Sequence, residues 1–500
     1  MADDRASDDV VTEFLLNTCR ERHCLSTYEV YQALFNCAEL ATQHESPDDD
    51  GNEMIPVPTG SAAEFYTQPL FSCVGDIDIM FHYTDELAIP EGTAPPTQLP
   101  DEFHSRVDVH EIVDSEVLGY VYLRRSFALT ECIDDGKYNA VQCQHRYLTY
   151  EADDKMHGPA IVTEWLCSLR PFFGRIAEER FSRDRVYCMR CLSWPPQAAD
   201  WPTRDRDYGW PDSATIEHVI SNGCDVVCKI HRLCKEDVRM HHTPFRLSFS
   251  RAEITLLNNW TRIQQIVYHV LRAFVKTERL TDSANGSDAA TLSNYHIKTL
   301  MLWTCELKPR SWWSDDLNVV SLCVELLETL GDWMSDEDAC CPHYFIHCNL
   351  FDHPYSDYSE ISNRLMSETE ESLAEWFISS YIPKCAQLCP ESDSSHFVDV
   401  RTPIKLQEAV STLADWRQLH LLFWIPSAFA RAQYTITSMV SRRSLTVRSC
   451  LWWIRNLSNI TQRLCVYFTA NCYLHVARKT TRHQLNDEML DVFSDNLSAV

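Results

Sequence analysis

The chain has 500 residues, 45% hydrophobic and 23% charged, with 72 acidic against 44 basic side chains and a formal net charge of −28. That length supports a large core in two or three domains, and the charge argues against wholesale electrostatic attraction to nucleic acid. The first residues are acidic, the 22 cysteines form no compact framework, and no run of about twenty uncharged apolar residues occurs, so the reading is a reduced, cytoplasmic protein without a signal or transmembrane segment.

Val10, Phe14, Tyr28, Leu34 and Phe35 recur at helical spacing, which predicts one long helix over 8–45. A Pro/Asp/Gly-rich loop over 46–58 leads to a Thr59-Gly60-Ser61 turn, and Gly75-Asp76-Ile77-Asp78-Ile79-Met80 then alternates as a strand. A proline-rich loop covers 90–100, a strand 116–124, a helix 160–181, and a strand 185–192 closed by Trp194-Pro195-Pro196. A further strand covers 224–230, and 245–249 leads into a helix. Beyond it the period is helical: 253–276, 292–305, 316–333, 368–381, 406–420, 421–440 and 450–476. A strand-bearing first half followed by helices makes the class α+β, then all-α.

Residues i and i+2 of a strand share a face, so Asp76 and Asp78 project together. Two carboxylates that close repel unless a cation lies between them. Hard divalent ions such as Mg²⁺ favour carboxylate oxygens and substrate phosphates, and a Gly-Ser turn can offer backbone N–H groups to a phosphate. Turn, then paired acids, is the layout of a metal-dependent nucleotidyl-transfer site. The alternative is a polar strand end with two solvated acids.

Cys224, Cys228, His231 and Cys234 have zinc-ligand types at short spacing, but Cys224, Val226 and Cys228 also fit one face of a buried strand, and the core reading is favoured. The same holds for Cys340, Cys341, His343, His347 and Cys348. From Trp416 to Asn486 there are ten Lys or Arg and no acid, leaving 72 acidic against 34 basic residues elsewhere, a balance of −38. Its bases alternate with aromatics, among them Trp424, Arg431, Tyr434, Trp452, Trp453 and Arg455. Two readings stand: contact with double-stranded RNA or an anionic lipid surface, and packing against the acidic remainder. No Ser-His-Asp or Cys-His nucleophile setting is recognisable, and no glycine-rich P-loop or dinucleotide fingerprint appears.

Gly60-Ser61, Gly75-Asp76-Ile77-Asp78-Ile79-Met80, Trp194-Pro195-Pro196, Gly209-Trp210-Pro211-Asp212, Phe245-Arg246-Leu247-Ser248-Phe249-Ser250-Arg251-Ala252-Glu253, Asn294-Tyr295-His296-Ile297-Lys298 and Pro342-His343-Tyr344-Phe345-Ile346 occur in that order. Together they resemble the cyclic GMP–AMP synthase-like receptors within the Mab-type nucleotidyltransferase family. The resemblance covers roughly residues 8–390. It implies a two-lobed fold, with a polymerase-β-like nucleotidyltransferase sheet and spine helix over 1–245 and a helical Mab-type lobe over 246–390. Residues 391–500 form a basic, aromatic helical extension.

It also implies an enzyme that joins nucleoside triphosphates such as ATP and GTP into a cyclic dinucleotide for innate-immune signalling, using Mg²⁺ or Mn²⁺. Asp76, Asp78 and Asp184 match the metal-holding catalytic acids; an ordinary salt-bridged acid is the other reading of Asp184. Gly60 and Ser61 match the phosphate loop, Arg246 the arginine that reaches base or phosphate, and Tyr295 the aromatic that stacks on a base. Arg272 falls where a phosphate-binding lysine is common, Asn294 where a serine contacts phosphate, and Lys298 one turn further on. Two departures are present. Ala62-Ala63-Glu64-Phe65-Tyr66 lacks the basic residue and glycine that follow Gly-Ser in active relatives, and the zinc thumb of vertebrate relatives is absent. The alternative is a catalytically inactive Mab-type scaffold.

Overall fold

The structure, a computed structural model, describes residues 6–19, 54–60, 77–100, 103–148, 156–157, 160–169, 177–227, 245–281, 292–314, 318–335, 339–351, 358–387, 389 and 393–413. A mixed sheet runs through the first half: β1 (Met54–Thr59), β2 (Ile77–Pro90), β3 (Arg106–Asp114), β4 (Tyr120–Glu131), β5 (Tyr138–Tyr147), β6 (Met156–His157), β7 (Ala160–Leu169), β8 (Ala177–Cys191), β9 (Cys224–Val227) and β10 (Phe245–Ser248). The strand order is β1-β2-β3-β4-β10-β9-β8-β7-β6, with β5 on β4. Strand β2 also pairs with β8, so β2, β3, β4, β10, β9 and β8 form a closed circuit of hydrogen-bonded neighbours. Only β2–β3 and β2–β8 are parallel among the described pairings.

The helices are α1 (Ser7–Thr18), α2 (Ser213–Ser221), α3 (Ser250–Leu257), α4 (Arg262–Thr277), α5 (Asn294–Leu307), α6 (Val319–Ser335), α7 (Ser359–Met366), α8 (Glu370–Trp376), α9 (Ile382–Gln387) and α10 (403–413). One apolar core joins sheet and helices, from Val10 and Phe14 of α1 through Val121 and Val226 of the sheet to Leu271, Leu300 and Leu326. Helix α4 is buried from Ile263 to Val275, on every face.

Five expectations change. The loop expected over 46–58 carries strand β1 from Met54 onward, because that stretch is paired with β2 from Met54↔Tyr83 to Thr59↔Asp78. The long N-terminal helix stops at Thr18, with Cys19 extended; Arg262 supplies the reason, because its guanidinium donates to the otherwise orphaned carbonyls of Leu16 and Cys19. Residues 20–45 lie outside the described ones. The helix expected over 160–181 is instead β7 and the start of β8, paired continuously from Ala160↔Val186 to Leu169↔Ala177. Its Ile161-Val162-Thr163 run is β-branched, and a complete ladder overrides a helical apolar spacing. The helix expected over 253–276 divides into α3 and α4. Thr261 ends the break, accepting from the Gln264 N–H while Gln264 accepts from the Thr261 N–H, a reciprocal cap that starts a new helix. Finally, the strand expected over 116–124 begins only at Tyr120, after a turn in which Gly119 has a φ of +82°.

The β8–β9 junction is the tightest place in the sheet. Gly223 lies in the left-handed region at φ +64°, and a Cβ there would come within 2.2 Å of the Cys191 carbonyl oxygen. Arg190 binds the same corner, donating to the carbonyls of Cys191, Cys224 and Asn222. We expect Gly223→Ala to destabilise the protein by about 2–5 kcal/mol, from left-handed strain plus overpacking. Urea denaturation checks this, and an unchanged midpoint would show that the corner yields freely.

Candidate active site

Two of the three acids expected to hold a metal fall on the pairing of β2 with β8. Asp78 lies on β2 and Asp184 on β8, and the parallel register pairs the two positions directly. On its other side Asp78 is paired with Thr59 of β1, which is buried. Gly60 follows Thr59 with a φ of +54°, so the turn leaves the sheet one residue beyond the position facing Asp78. Asp76 and Ser61 lie outside the described residues. Helix α3 lies alongside β1, and Ser248 at the end of β10 contacts the Met80 sulfur of β2 at 4.0 Å. Strands β1 and β2 are therefore neighbours of β10 and α3.

Tyr295, Lys298 and Arg246 do come together, around an acid that the spacing argument did not single out. Glu253 of α3 is 3% exposed; one carboxylate oxygen accepts from Lys298 Nζ at 2.7 Å and the other from the Tyr295 hydroxyl at 2.9 Å. The Arg246 guanidinium and the Lys298 ammonium lie 5.5 and 5.4 Å from the Tyr295 ring centre, within cation–π range. Burial, and after it the Glu253 charge, pushes the Tyr295 phenol well above its ordinary value. Lys298, expected to face a phosphate, is itself buried and held by Glu253.

His343 completes the chain of hydrogen bonds. Its Nδ1 accepts from the Phe345 and Ile346 N–H groups, which fixes the proton on Nε2. That nitrogen, 3.0 Å from the Tyr295 hydroxyl, therefore donates to it, and Tyr295 in turn donates to Glu253. Burial, with Arg246 adding to it, pulls the His343 pKa down to about 3. Asn294 opens α5 half-buried, and its Oδ1 is buried without a hydrogen bond. Arg272 lies inside α4, 3% exposed, its guanidinium over the ring of Tyr268 on the same helix at 5.4 Å.

A second buried charge cluster joins β8, β9 and α3. Asp225 of β9, fully buried, accepts from Arg251 Nε at 2.9 Å and lies 3.8 Å from Arg190 Nη1. Two guanidiniums thus neutralise it. Beside it His82 is held neutral, its pKa lowered to about 4 by burial and by Arg251. An acid inside the apolar run Cys224-Asp225-Val226-Val227 was the available signal. Cys224 is buried and paired across the ladder with Cys191; Cys228, His231 and Cys234 lie outside the described residues. Among the described residues no group of three His, Cys, Asp or Glu side chains is placed to hold a metal, and no helix is long and apolar enough to cross a membrane.

Several motif residues are packing residues. Trp194 meets Trp201, Phe249 and Phe345 at 5.4, 5.4 and 5.9 Å, and Phe249 stacks on Phe345 at 4.7 Å. The Trp-Pro-Pro, Phe-Ser and Pro-His-Tyr-Phe segments thus form one aromatic knot between sheet and helices.

A mixed sheet with helices packed on it through one apolar core is an α+β architecture. Residues 175–259 match the Mab-21 protein nucleotidyltransferase domain, and residues 263–367 match the Mab-21 protein HhH/H2TH-like domain. These matches support a Mab-type family member, and the nucleotidyltransferase domain implies a polymerase-β-like fold. The chain is 29% identical over 176 residues to a protein mab-21-like of Aedes aegypti, 28% over 176 residues to one of Anopheles gambiae and 26% over 177 residues to one of Drosophila melanogaster. Each alignment takes in 34% of this chain and 43–44% of the relative, so the chain spans less than half the length of the curated relatives it matches. The domain matches include Asp184, Arg246, Glu253, Tyr295 and Lys298 but begin after Asp78.

The His343 geometry carries a pH dependence. The folded protein holds this imidazole neutral down to about 3, while the unfolded chain protonates it near 6.5. Its contribution to stability is therefore complete above 6.5 and is lost as the pH falls through that window, at about 1.4 kcal/mol per pH unit. His343→Asn keeps an acceptor for the Phe345 and Ile346 N–H groups but cannot titrate. Its unfolding free energy should fall less steeply with acid than that of the parent, by that slope, between about pH 6 and 4. Parallel curves would refute the assignment.

Proposed function

We propose that the chain is a metal-dependent nucleotidyltransferase that joins two nucleoside triphosphates, such as ATP and GTP, into a cyclic dinucleotide second messenger. In this reading it is a cytoplasmic innate-immune sensor of double-stranded RNA-like ligands, in the manner of the cyclic GMP–AMP synthase-like receptors it resembles. The observation that carries the reading is the direct pairing of the Asp78 and Asp184 positions, acids far apart in the chain.

The donor chemistry fits a hard divalent cation: Asp78, Asp184 and the nearby Asp76 offer carboxylate oxygens, the ligands that Mg²⁺ and Mn²⁺ take. When bound, such ions neutralise charge at the attacking and leaving oxygens of an in-line phosphoryl displacement. Asp184 would accept the proton of the attacking ribose hydroxyl. The turn begun by Gly60 would seat phosphate oxygens on its N–H groups, with the Ser61 hydroxyl beside them. Tyr295 would stack on a base, with Arg246 over the same ring offering its planar fork to base or phosphate. Asn294 and Lys298 at the start of α5, and Arg272 of α4, are the remaining proposed nucleotide contacts. The acid-free segment Trp416–Asn486, proposed to meet RNA or an anionic surface, lies outside the described residues.

One observation favours a second reading, a catalytically inactive Mab-type scaffold: Lys298, a proposed phosphate ligand, is already buried against Glu253.

The two separate in one assay. The full chain is incubated with labelled ATP and GTP, Mg²⁺ or Mn²⁺, and double-stranded RNA, and the products are resolved by mass spectrometry. We expect a cyclic dinucleotide from the parent. Asp78→Asn and Asp184→Asn should each reduce it to below about 1%, the scale on which single electrostatic contributors to catalysis act. Full activity in either variant would remove that acid from the site, and a folded parent that makes no product under any condition would favour the scaffold.

A further inference from the structure

Helix α5 is gripped at both ends. Its first turns carry Tyr295 and Lys298, held by Glu253. Its last turn carries Glu306, which is 3% exposed and takes three donors. Arg204 Nη1 reaches one oxygen at 3.2 Å; Arg206 Nε and the Tyr344 hydroxyl reach the other at 3.3 and 2.7 Å. Each guanidinium is itself fixed. Arg204 donates to the Tyr344 carbonyl at 2.7 Å and lies 4.5 Å over the Trp303 ring. Arg206 donates to the carbonyls of Arg204 and Trp201 and lies 5.1 Å over Trp201. Both guanidiniums are thus held by more than one partner.

Both arginines belong to the segment that leaves β8, the strand of Asp184. From the end of β8 the chain passes through Trp194 and Trp201, which pack into the aromatic knot, directly to Arg204 and Arg206. On the far side, Glu306 lies about 16 Å along the helix axis from Tyr295 at the ordinary rise. A rigid path therefore runs from an acid-bearing strand, through one carboxylate, to the cluster of Tyr295, Lys298 and Arg246.

We propose that Glu306, clamped by Arg204 and Arg206, is a positioning residue that sets α5 against β8 and so fixes the spacing between the paired acids and the Tyr295 cluster. Its catalytic consequence rests on the nucleotidyl-transfer reading; the mechanical one does not. A buried carboxylate with two guanidiniums holds one geometry strongly, because any shift strands a desolvated charge.

Hydrogen exchange and kinetics on the full chain test this, with Arg204→Lys and Glu306→Gln. In both variants amide exchange over 294–302 should rise by about tenfold or more, while exchange over 106–147 changes by less than about twofold, the mark of a local rather than a global opening. In the product assay kcat should fall by about tenfold or more with KM for nucleotide within about threefold, because the binding groups persist but are misaligned. A uniform rise in exchange, or none in α5, would overturn the proposal, as would an unchanged kcat in an active protein. Arg204 is a quarter exposed and leaves Arg206 on Glu306, so Arg204→Lys decides the matter where Glu306→Gln does not fold. If the parent makes no product, the exchange pattern alone decides the clamp, and the failure belongs to the nucleotidyl-transfer reading.

Discussion

The parallel pairing of β2 with β8 is the constraint on which the rest of this structure depends. Its register sets Ile77 against Arg183, Asp78 against Asp184 and Ile79 against Arg185. A slip of one residue either way would put Asp78 opposite an arginine, which simple electrostatics prefers. The acid-on-acid register must therefore be imposed by something stronger. Just downstream Phe81 and Tyr83 meet Tyr187 at 6.0 and 6.1 Å, and Met80, Cys188 and Val227 form an apolar cluster beside them. A one-residue shift would reverse the face of every side chain in that stretch. At the far end of β8, Arg190 and the close approach of Gly223 lock the strand to β9. Apolar matching thus overrides charge, and it leaves two acid positions adjacent.

The chain is strongly acidic, yet much of its interior electrostatics is built from cations. Arg190 and Arg251 neutralise Asp225, Lys298 neutralises Glu253, and Arg204 and Arg206 neutralise Glu306. Each buried acid is paired, as the cost of an isolated buried charge requires. These three clusters join parts of the chain remote in sequence. Asp225 ties the sheet to α3, Glu253 ties α3 to α5, and Glu306 ties α5 back to the segment leaving β8. Together with the aromatic knot of Trp194, Trp201, Phe249 and Phe345 they hold the helices on the sheet with defined orientation, which apolar contact alone specifies less sharply.

Much of this was legible, but unevenly. The alternation of Gly75 to Met80 marked a strand, and the ordered motifs marked the family. Asp184 was reached only through resemblance, because no local pattern says that β8 runs beside β2; strand order is set by long-range pairing. The helix expected over 160–181 failed for the same reason, since only the ladder with β8 makes Ala160–Leu169 extended. The early end of α1 was hidden in Arg262, whose guanidinium arrives from a distant helix. By contrast, the break before α4 was written locally, in Thr261 and Gln264 three residues apart, and a closer reading of capping signals would have found it. The quoted motifs carried a further lesson. Trp194, Phe249 and Phe345 pack together between sheet and helices, while Glu253 and His343, inside the same motifs, organise the Tyr295 cluster.

That cluster sets the terms on which a triphosphate could enter. Lys298 is committed to Glu253 by a charge-assisted bond of 2.7 Å, and Tyr295 is committed to Glu253 and His343. On the nucleotidyl-transfer reading, an incoming phosphate meets the Glu253 carboxylate as well as the lysine, so part of the attraction of Lys298 is cancelled before contact. A cation held by the acids proposed for it would then have to supply most of the charge that draws the triphosphate in. Tyr295 and Arg246 would instead orient the base, a contact that depends little on net charge. Binding and catalysis would accordingly fail together when the acids are lost, whereas loss of the Tyr295 ring would fall chiefly on which base is accepted. The same balance explains why a chain with this fold can sit close to the boundary between enzyme and scaffold. On that reading Lys298 and Tyr295 are already bonded to Glu253, and what would distinguish the two states is whether the acids of β2 and β8 hold an ion.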